Sequence, residues 1–149
     1  MPSDLFLKTM NAVHRALLAV TGNRVGATLG GMPSLELTTI GRSSGLRRSV
    51  MLTSPMSEAG AYVVVASRGG DDQHPAWFLN VRDNPQVEVR VVGDRPRRMH
   101  ARVATPPERA RMWPVITSRY PNYAGYQRRT DRQIPLVLLE PVGDSDAAL

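Results

Sequence analysis

The chain has 149 residues, a length that suits one domain with a substantial core, and it contains no cysteine, which excludes disulfide bonds, thiolate nucleophiles and cysteine-ligated metals. Its formal net charge is +6, and Lys8 is the only lysine, so arginine carries nearly all of the positive charge. Because arginine suits bidentate contacts with phosphate and carboxylate, this charge indicates an anionic partner: nucleic acid, a membrane surface or a polyanionic small molecule.

An amphipathic helix is predicted close to the N-terminus. Apolar residues recur at four- and three-residue spacing from Phe6 to Val20, with Ser3 as the N-cap and Gly22 as the stop. Packing against the domain is the favoured interpretation, and peripheral membrane contact is the alternative. The first 20 residues are too mixed in polarity for a signal peptide or a spanning helix, so we expect a cytoplasmic protein, with membrane association left open.

Six strands are predicted after a glycine-rich linker at residues 26–33. Alternating or β-branched runs bounded by turn residues mark them. The predicted strands are Leu35–Ile40, Arg48–Ser54, Ala61–Ser67, Gln86–Val92, Arg97–Ala104 and Ile134–Glu140. A short helix, Ala76–Arg82, is expected between the third and fourth strands.

A second helix is predicted between the last two strands. Thr105 and Glu108 form a capping box at its start, and the helix is expected to run to about Arg119. Pro114 predicts a kink or an earlier end. Consecutive hairpins favour an antiparallel sheet, and six strands of this length can close into a small barrel. The expected fold is therefore mainly β (α+β), a six-stranded barrel over residues 34–142 with peripheral helices and a flexible tail at 143–149.

An anion site is predicted in the turn between the first two strands. Gly41 and Gly45 can adopt positive φ there without steric cost. The turn also concentrates basic and hydroxyl side chains: Arg42, Ser43, Ser44, Arg47 and Arg48. Guanidinium groups, hydroxyls and backbone N–H groups together suit phosphate. A solvated basic hairpin without a ligand is the alternative.

Three further segments carry candidate site residues. Ser67 and Arg68, followed by two glycines, repeat the pattern of the first turn directly after a strong strand. Trp77 can cover a flat ligand ring or pack in the core. The tyrosines at three-residue spacing can line a pocket for an aromatic or quinone-like substrate, with a phenol as proton donor, or simply pack a helix. They are Tyr120, Tyr123 and Tyr126.

No side-chain set for autonomous catalysis is evident. The three histidines are scattered without metal-ligand spacing, so no metal is predicted. The sequence contains no nucleophile-elbow, Walker or dinucleotide-binding motif. An enzyme of this sequence must therefore take its chemistry from a cofactor.

Five segments in a fixed order carry a resemblance to a known family. They are Leu37–Arg48, Val65–Gly70, His74–Asn80, Asn84–Val89 and Tyr120–Pro135. Together they resemble the deazaflavin-dependent nitroreductase family of actinobacteria. The resemblance implies a split β-barrel related to the FMN-binding barrels. It also implies the 8-hydroxy-5-deazaflavin coenzyme F-420 as cofactor, whose tail carries a phosphodiester and an oligoglutamate chain.

The resemblance implies which residues hold the tail of the coenzyme. Arg42, Ser44 and Arg48 match positions that bind the phosphate and the tail carboxylates. Ser43 stands where the family usually has lysine, so that contact is weakened or moved to Arg47. An altered cofactor affinity is therefore expected to originate in this turn.

The resemblance also implies contacts at the ring and at the substrate. Ser67 and Arg68 match a pair near the cofactor, with the basic residue on the phosphate, and Ala76 and Trp77 match positions that flank the ring. The three tyrosines match the substrate side. Thr53 replaces a residue that faces the substrate in some relatives.

The implied reaction is hydride transfer from C5 of the reduced deazaflavin to a small-molecule acceptor, such as a quinone, a nitroaromatic or another conjugated compound. Tyr126 is the expected donor to the developing anion, with Ser67 second. The alternatives are an FMN-type split-barrel oxidoreductase and a non-catalytic deazaflavin carrier. Nucleic acid is disfavoured because the aromatics are not interleaved with the arginines. Related barrels are commonly homodimers, so a homodimer stays open.

Overall fold

A computed structural model describes residues 28, 29 and 31–142 of the chain. The predicted N-terminal helix and the predicted tail lie outside the described residues. The described strands, β1 to β8 in chain order, are Thr28–Leu29, Met32–Ile40, Arg47–Thr53, Met56–Glu58, Ala61–Val65, Gln86–Val91, Arg97–Val103 and Leu136–Pro141. The described helices, α1 to α3, are Ala76–Asp83, Pro106–Arg119 and Asn122–Arg128. A single 3-10 turn covers Arg68–Gly70.

The strands form one antiparallel sheet in the order β3-β2-β6-β7-β8-β5-β4, with β1 also paired to β2. The expectation of a mainly β, antiparallel fold with peripheral helices is confirmed. Among the described residues no pairing joins the end strands β3 and β4, so closure into a six-stranded barrel stays a prediction. The short strands β1 and β4 were not predicted, since two or three residues show no periodicity.

Two apolar clusters lie on the two faces of the sheet. On β5, Val64 packs in the cluster that also holds Trp77 and Phe78 of α1. Its neighbours Val63 and Val65 pack in the second cluster, which α2 and α3 cover. Strand β8 alternates in the same way. Because β5 is buried on both faces, its sequence is a continuous β-branched run rather than an alternating one.

The segment predicted as a linker at residues 26–33 contains a short hairpin instead. Thr28 pairs with Pro33 and Leu29 with Met32, and Gly31 between them has a φ of 82°. Met32 is buried in the second cluster, so β2 begins three residues earlier than the sequence indicated. Glycine thus supplies a turn here, and the linker interpretation was wrong for this part.

The helix α2 begins and ends where its signals predicted, apart from the proline. The Thr105 N–H donates to the Glu108 carboxylate at 2.8 Å, and the Glu108 N–H donates to the Thr105 hydroxyl at 3.4 Å, which confirms the capping box. The helix continues through Pro114 to Arg119, so an earlier end was the wrong expectation. Buried contacts of Met112 and Ile116 with the sheet keep the helix in place across the proline.

Candidate functional site

The turn between β2 and β3, together with the first two residues of β3, is hereafter called the cationic turn (residues 41–48). Its glycines and one serine determine its shape. The Gly41 N–H donates to the Leu46 carbonyl and the Gly45 N–H to the Gly41 carbonyl, each at 2.8 Å. Gly45 has a φ of 70°, as its sequence position predicted. The Ser44 hydroxyl accepts the Leu46 N–H at 3.1 Å, so its oxygen already serves the turn, whereas Ser43 lies exposed at the tip.

A buried asparagine fastens the cationic turn to α1. The Arg42 guanidinium donates to Asn80 Oδ1 at 2.9 Å and to the Ala76 carbonyl at 3.5 Å, and the Arg42 N–H donates to the same Asn80 oxygen at 3.2 Å. Asn80 is 4% exposed, and its amide also donates to the Thr39 hydroxyl at 3.1 Å. The structure therefore brings Arg42 and Ala76 together. Asn80 lies in one of the segments that carry the family resemblance, but no pattern in the sequence marked it as a site residue.

The two other arginines of the cationic turn differ in their partners. Arg47 forms an exposed ion pair with Glu88 of β6 at 3.0 Å. Arg48 is exposed and pairs across the hairpin with Thr39 through the backbone, and its guanidinium forms no ion pair with an acidic residue of the described chain. The positive charge of Arg48 is thus available to an external anion, while that of Arg47 is largely balanced.

The loop after β5, Ser67–His74 and hereafter the glycine loop, contains an internal ion pair. Arg68 donates to Asp71 at 2.9 Å and to Gln73 at 3.3 Å. The side chains of Arg68 and Asp71 are 15% and 14% exposed. Arg68 also has a positive φ of 47°, which a non-glycine residue adopts only where its surroundings impose it. An external phosphate would share Arg68 with Asp71, so this arginine is a weaker candidate contact than the sequence indicated.

A second arginine, Arg132, which no sequence pattern marked as a site residue, forms hydrogen bonds to the glycine loop from another segment of the chain. Arg132 donates to the carbonyls of Ser67 and Asp71, each at 2.8 Å, and lies 3.1 Å from His74 Nδ1. Burial lowers the pKa of Arg132, and Asp71 acts in the opposite direction. Its partners are 58 to 66 residues away in the sequence, so no local signal could have revealed them.

The two residues predicted to flank a ring lie at the start of α1 but differ in exposure. Ala76 is exposed, whereas Trp77 is only 7% exposed and packs edge-to-face on Phe78 with ring centroids 6.2 Å apart. No side chain caps the first turn of α1, since Pro75 occupies the N-cap position. The backbone N–H groups of Ala76 and Trp77 therefore have no side-chain acceptor within the described chain, and Arg42 reaches the same turn through the Ala76 carbonyl.

The residues predicted on the substrate side come together around α3. The Thr53 and Tyr123 hydroxyls are 3.4 Å apart, and Tyr123 also contacts the Met32 sulfur at 3.5 Å. The Tyr123 ring meets those of Tyr120 and Tyr126 edge-to-face, with centroids 6.5 and 6.0 Å apart. Burial raises the pKa of the Tyr123 phenol, which keeps it neutral at pH 7. Tyr120 and Tyr126 are partly exposed.

The glycine loop and α3 touch directly. Gly70 has a φ of 86°, and a Cβ on it would lie 2.7 Å from the Tyr126 carbonyl oxygen. Arg129 donates to the Gly69 carbonyl at 3.4 Å, and its guanidinium lies 5.9 Å from the Tyr126 ring. The segments that carry Ser67 and Tyr126, the two predicted catalytic residues, are therefore neighbours.

Other places in the described residues offer less chemistry. A cleft of about 610 Å³ opens at the far ends of β5 to β8, lined among others by Tyr62, Val91, Arg95 and Pro141. None of the predicted site residues lines it. The described chain has no group of three acidic or histidine side chains that could hold a metal. Nor does it have a helix long and apolar enough to cross a bilayer.

Comparison with known proteins gives consistent matches over most of the chain. The family described as F420H(2)-dependent quinone reductase matches residues 10–141. An F420H(2)-dependent quinone reductase of Mycobacterium tuberculosis is 37% identical over 131 residues, which cover 85% of this chain and 87% of that protein. A solved F420-H2 dependent reductase is 41% identical with a TM-score of 0.60, and the match covers 72% of this chain and 94% of that one. A solved domain-swapped dimer is 36% identical with a TM-score of 0.61, covering 89% and 99% of the two chains.

Proposed function

This chain belongs to the F420H(2)-dependent quinone reductase family, and we propose that it is an oxidoreductase that uses reduced coenzyme F-420 to reduce a quinone, a nitroaromatic or a similar conjugated acceptor. The observation that carries the proposal is the contact of Arg42 with the uncapped start of α1. Arg42 thus brings a cation to a helix whose first turn has no side-chain cap in the described structure, and guanidinium groups and helix N–H groups both suit phosphate.

The cationic turn suits the anionic tail of the coenzyme. We assign Arg42 and Arg48 the main contacts with phosphate and glutamate carboxylates, because Asn80 orients the first and no described acidic residue neutralises the second. Arg47 contributes less, since Glu88 shares its charge. Ser43 and Ser44 contribute through the turn they occupy, Ser43 as an exposed hydroxyl at its tip.

The ring end would be formed by α1 and the glycine loop. Ala76 offers an exposed backbone surface, and Trp77 supports it from the core rather than covering the ring with its indole face. Ser67 offers a hydroxyl at the start of the glycine loop, and Arg68 adds positive charge although Asp71 is its first partner. When bound there, the coenzyme supplies the hydride.

The three tyrosines, Tyr120, Tyr123 and Tyr126, would bind the acceptor. Tyr123 fixes the position of the group through Thr53 and the core, while the partly exposed Tyr120 and Tyr126 form its open side. We propose that the Tyr126 phenol donates a hydrogen bond to the oxygen that gains negative charge, with Ser67 as the second donor. Apolar rings around the acceptor also exclude water from the reaction.

The finer architecture is part of the proposal. We infer that the sheet curves into a six-stranded split barrel over residues 34–142, to which the hairpin of β1 with the start of β2 adds residues 28, 29, 32 and 33. A homodimer is the proposed assembly, supported by a domain-swapped dimer among the similar structures. Size-exclusion chromatography with light scattering tests the dimer, and vesicle flotation tests membrane contact.

A coenzyme titration tests the function. Reduced coenzyme F-420 should bind the protein, as measured by its fluorescence, and its absorbance should change on addition of a quinone or nitroaromatic acceptor only when the protein is present. Binding of FMN in its place would favour an FMN-type oxidoreductase. Tight coenzyme binding without oxidation by any acceptor of the panel would indicate a carrier protein.

A further inference from the structure

The guanidinium of Arg132 contacts four groups in and beside the glycine loop. Its Nε donates to the Asp71 carbonyl at 2.8 Å, and its Nη2 donates to the Ser67 carbonyl at 2.8 Å. Its Nη1 donates to the Ala66 carbonyl at 3.2 Å and lies 3.1 Å from His74 Nδ1. The planar fork therefore bridges both ends of the glycine loop, which a single lysine ammonium group cannot do from one point.

The backbone of Arg132 is in turn attached to α3. The Gln127 side-chain Nε2 donates to the Arg132 backbone carbonyl at 2.7 Å, and the Gln127 side-chain Oε1 accepts the Ile134 N–H at 2.9 Å. Gln127 follows Tyr126 directly in α3. A chain of hydrogen bonds thus runs from α3 through Arg132 to the glycine loop and His74.

We propose that Arg132 is a positioning residue that holds the glycine loop against α3 and so sets the distance between the coenzyme contacts and the Tyr126 phenol. The inference rests on the proposed function, because it assigns Ser67 and Ala76 to the coenzyme side. His74 lies two residues before Ala76, so the contact of Arg132 with its ring also fixes the start of α1. Loss of Arg132 would leave the site residues present but misplaced, and misplacement by about 1 Å can cost roughly 100-fold in rate.

His74 provides a reporter of this contact that does not need the coenzyme. A guanidinium only donates, so His74 Nδ1 must accept, and the neutral ring carries its proton on Nε2. Burial and the charges of Arg132 and Arg82 lower the pKa of His74. The charged groups around it are Arg132, Arg82 of α1 and, within the glycine loop beside Arg132, Arg68, Asp71 and Asp72. The aromatic neighbour is Phe78, with centroids 4.7 Å apart.

The test compares Arg132→Lys with Arg102→Lys. Arg102 is a matched control because it also bridges several partners, the carboxylates of Glu108 and Glu140, but lies outside the predicted site. Both variants should lower the melting temperature. Only Arg132→Lys should weaken binding of reduced coenzyme F-420, by about tenfold, and lower kcat more than it changes the KM for the quinone. Nitrogen-15 NMR should show the His74 Nε2–H tautomer in wild type and in Arg102→Lys, and a mixture with a raised His74 pKa in Arg132→Lys.

Each outcome decides the proposal. If Arg132→Lys shifts the His74 signals but binds coenzyme and turns over as wild type does, Arg132 is only structural and the proposal fails. If the variant does not fold, Gln127→Met, which keeps the Arg132 side chain and removes its backbone support, should show the same effects at smaller size, and unchanged kinetics in it refute the proposal. If wild type binds no coenzyme, the proposed function fails, whereas the His74 titration still shows whether the Arg132 contact exists.

Discussion

Arg48→Ala is the sharpest test of the cationic turn. Arg48 is exposed and has no recorded acidic partner among the described residues, so its loss should leave the melting temperature nearly unchanged. A charge-assisted hydrogen bond is worth about 1.5–3 kcal/mol, and we take the lower end because Arg48 is exposed. About 1.5 kcal/mol corresponds to roughly tenfold weaker binding of reduced coenzyme F-420. Fluorescence titration at low salt measures the change in affinity. The difference in coenzyme affinity between wild type and Arg48→Ala should become smaller as added salt screens the exposed charge.

A matched control separates a specific contact from the overall charge. Arg95 is also exposed but lies in the β6–β7 turn beside the distant cleft, so Arg95→Ala removes the same charge elsewhere. At about 0.1 M salt it should bind the coenzyme within about twofold of wild type, since exposed charges beyond a Debye length of roughly 10 Å are then screened. Equal losses in Arg48→Ala and Arg95→Ala would mean that net charge alone attracts the coenzyme. Wild-type binding by Arg48→Ala would place the tail outside the cationic turn.

Four further substitutions test the surroundings of the site and the start of α2. Gly70→Ala should lower the free energy of unfolding in urea by at least about 1–2 kcal/mol, because a left-handed residue gains a Cβ facing the Tyr126 carbonyl. Tyr126→Phe should lower kcat about tenfold or more with little change in coenzyme affinity. Tyr123→Phe should instead lower the free energy of unfolding by about 1 kcal/mol, because it loses the buried contacts of its hydroxyl. Equal kcat values in the two variants would contradict the assignment of Tyr126 as the hydrogen-bond-donating phenol. The hydrogen bonds from Arg102 and then from the Thr105 N–H lower the pKa of Glu108 from 4.5 to about 2. Its stabilisation is therefore complete above about pH 5 and lost as the pH falls towards 2, so Glu108→Gln should flatten the melting temperature over that interval.

The features that could be predicted from the sequence are those determined by residues close to one another in the chain. The capping box at Thr105 and the β-branched run of β5 each lie within a few residues, and both occur as expected. Of the three tyrosines, Tyr123 and Tyr126 lie in α3, while Tyr120 precedes it. The burial of Trp77 was left open because an eight-residue helix has too few turns to identify its inner face. The structure decides it because α1 packs with Trp77 and Phe78 in the first cluster.

The contacts that assemble the site could not be predicted, because they join distant segments through single side chains. Asn80 meets Arg42 and Thr39 about forty residues away, and Arg132 meets Ala66 across 66 residues. Neither residue stands in a periodic pattern that would mark it. Pairing in the sheet brings these segments together, and only then do the Asn80 amide and the Arg132 guanidinium acquire their partners.

The distribution of arginines explains why net charge is a poor guide to this site. Arg68, Arg102 and Arg132 are bound to carboxylates or carbonyls within the described structure, so their first role is to hold the fold together, and Arg68 can add only a shared charge to a ligand. Arg42 and Arg48 differ, since the first is oriented by a neutral amide and the second has no recorded acidic partner there. A coenzyme tail should therefore discriminate sharply between arginines that the formal charge of +6 counts alike. Removing a paired arginine should change stability first, and removing an unpaired one should change affinity first.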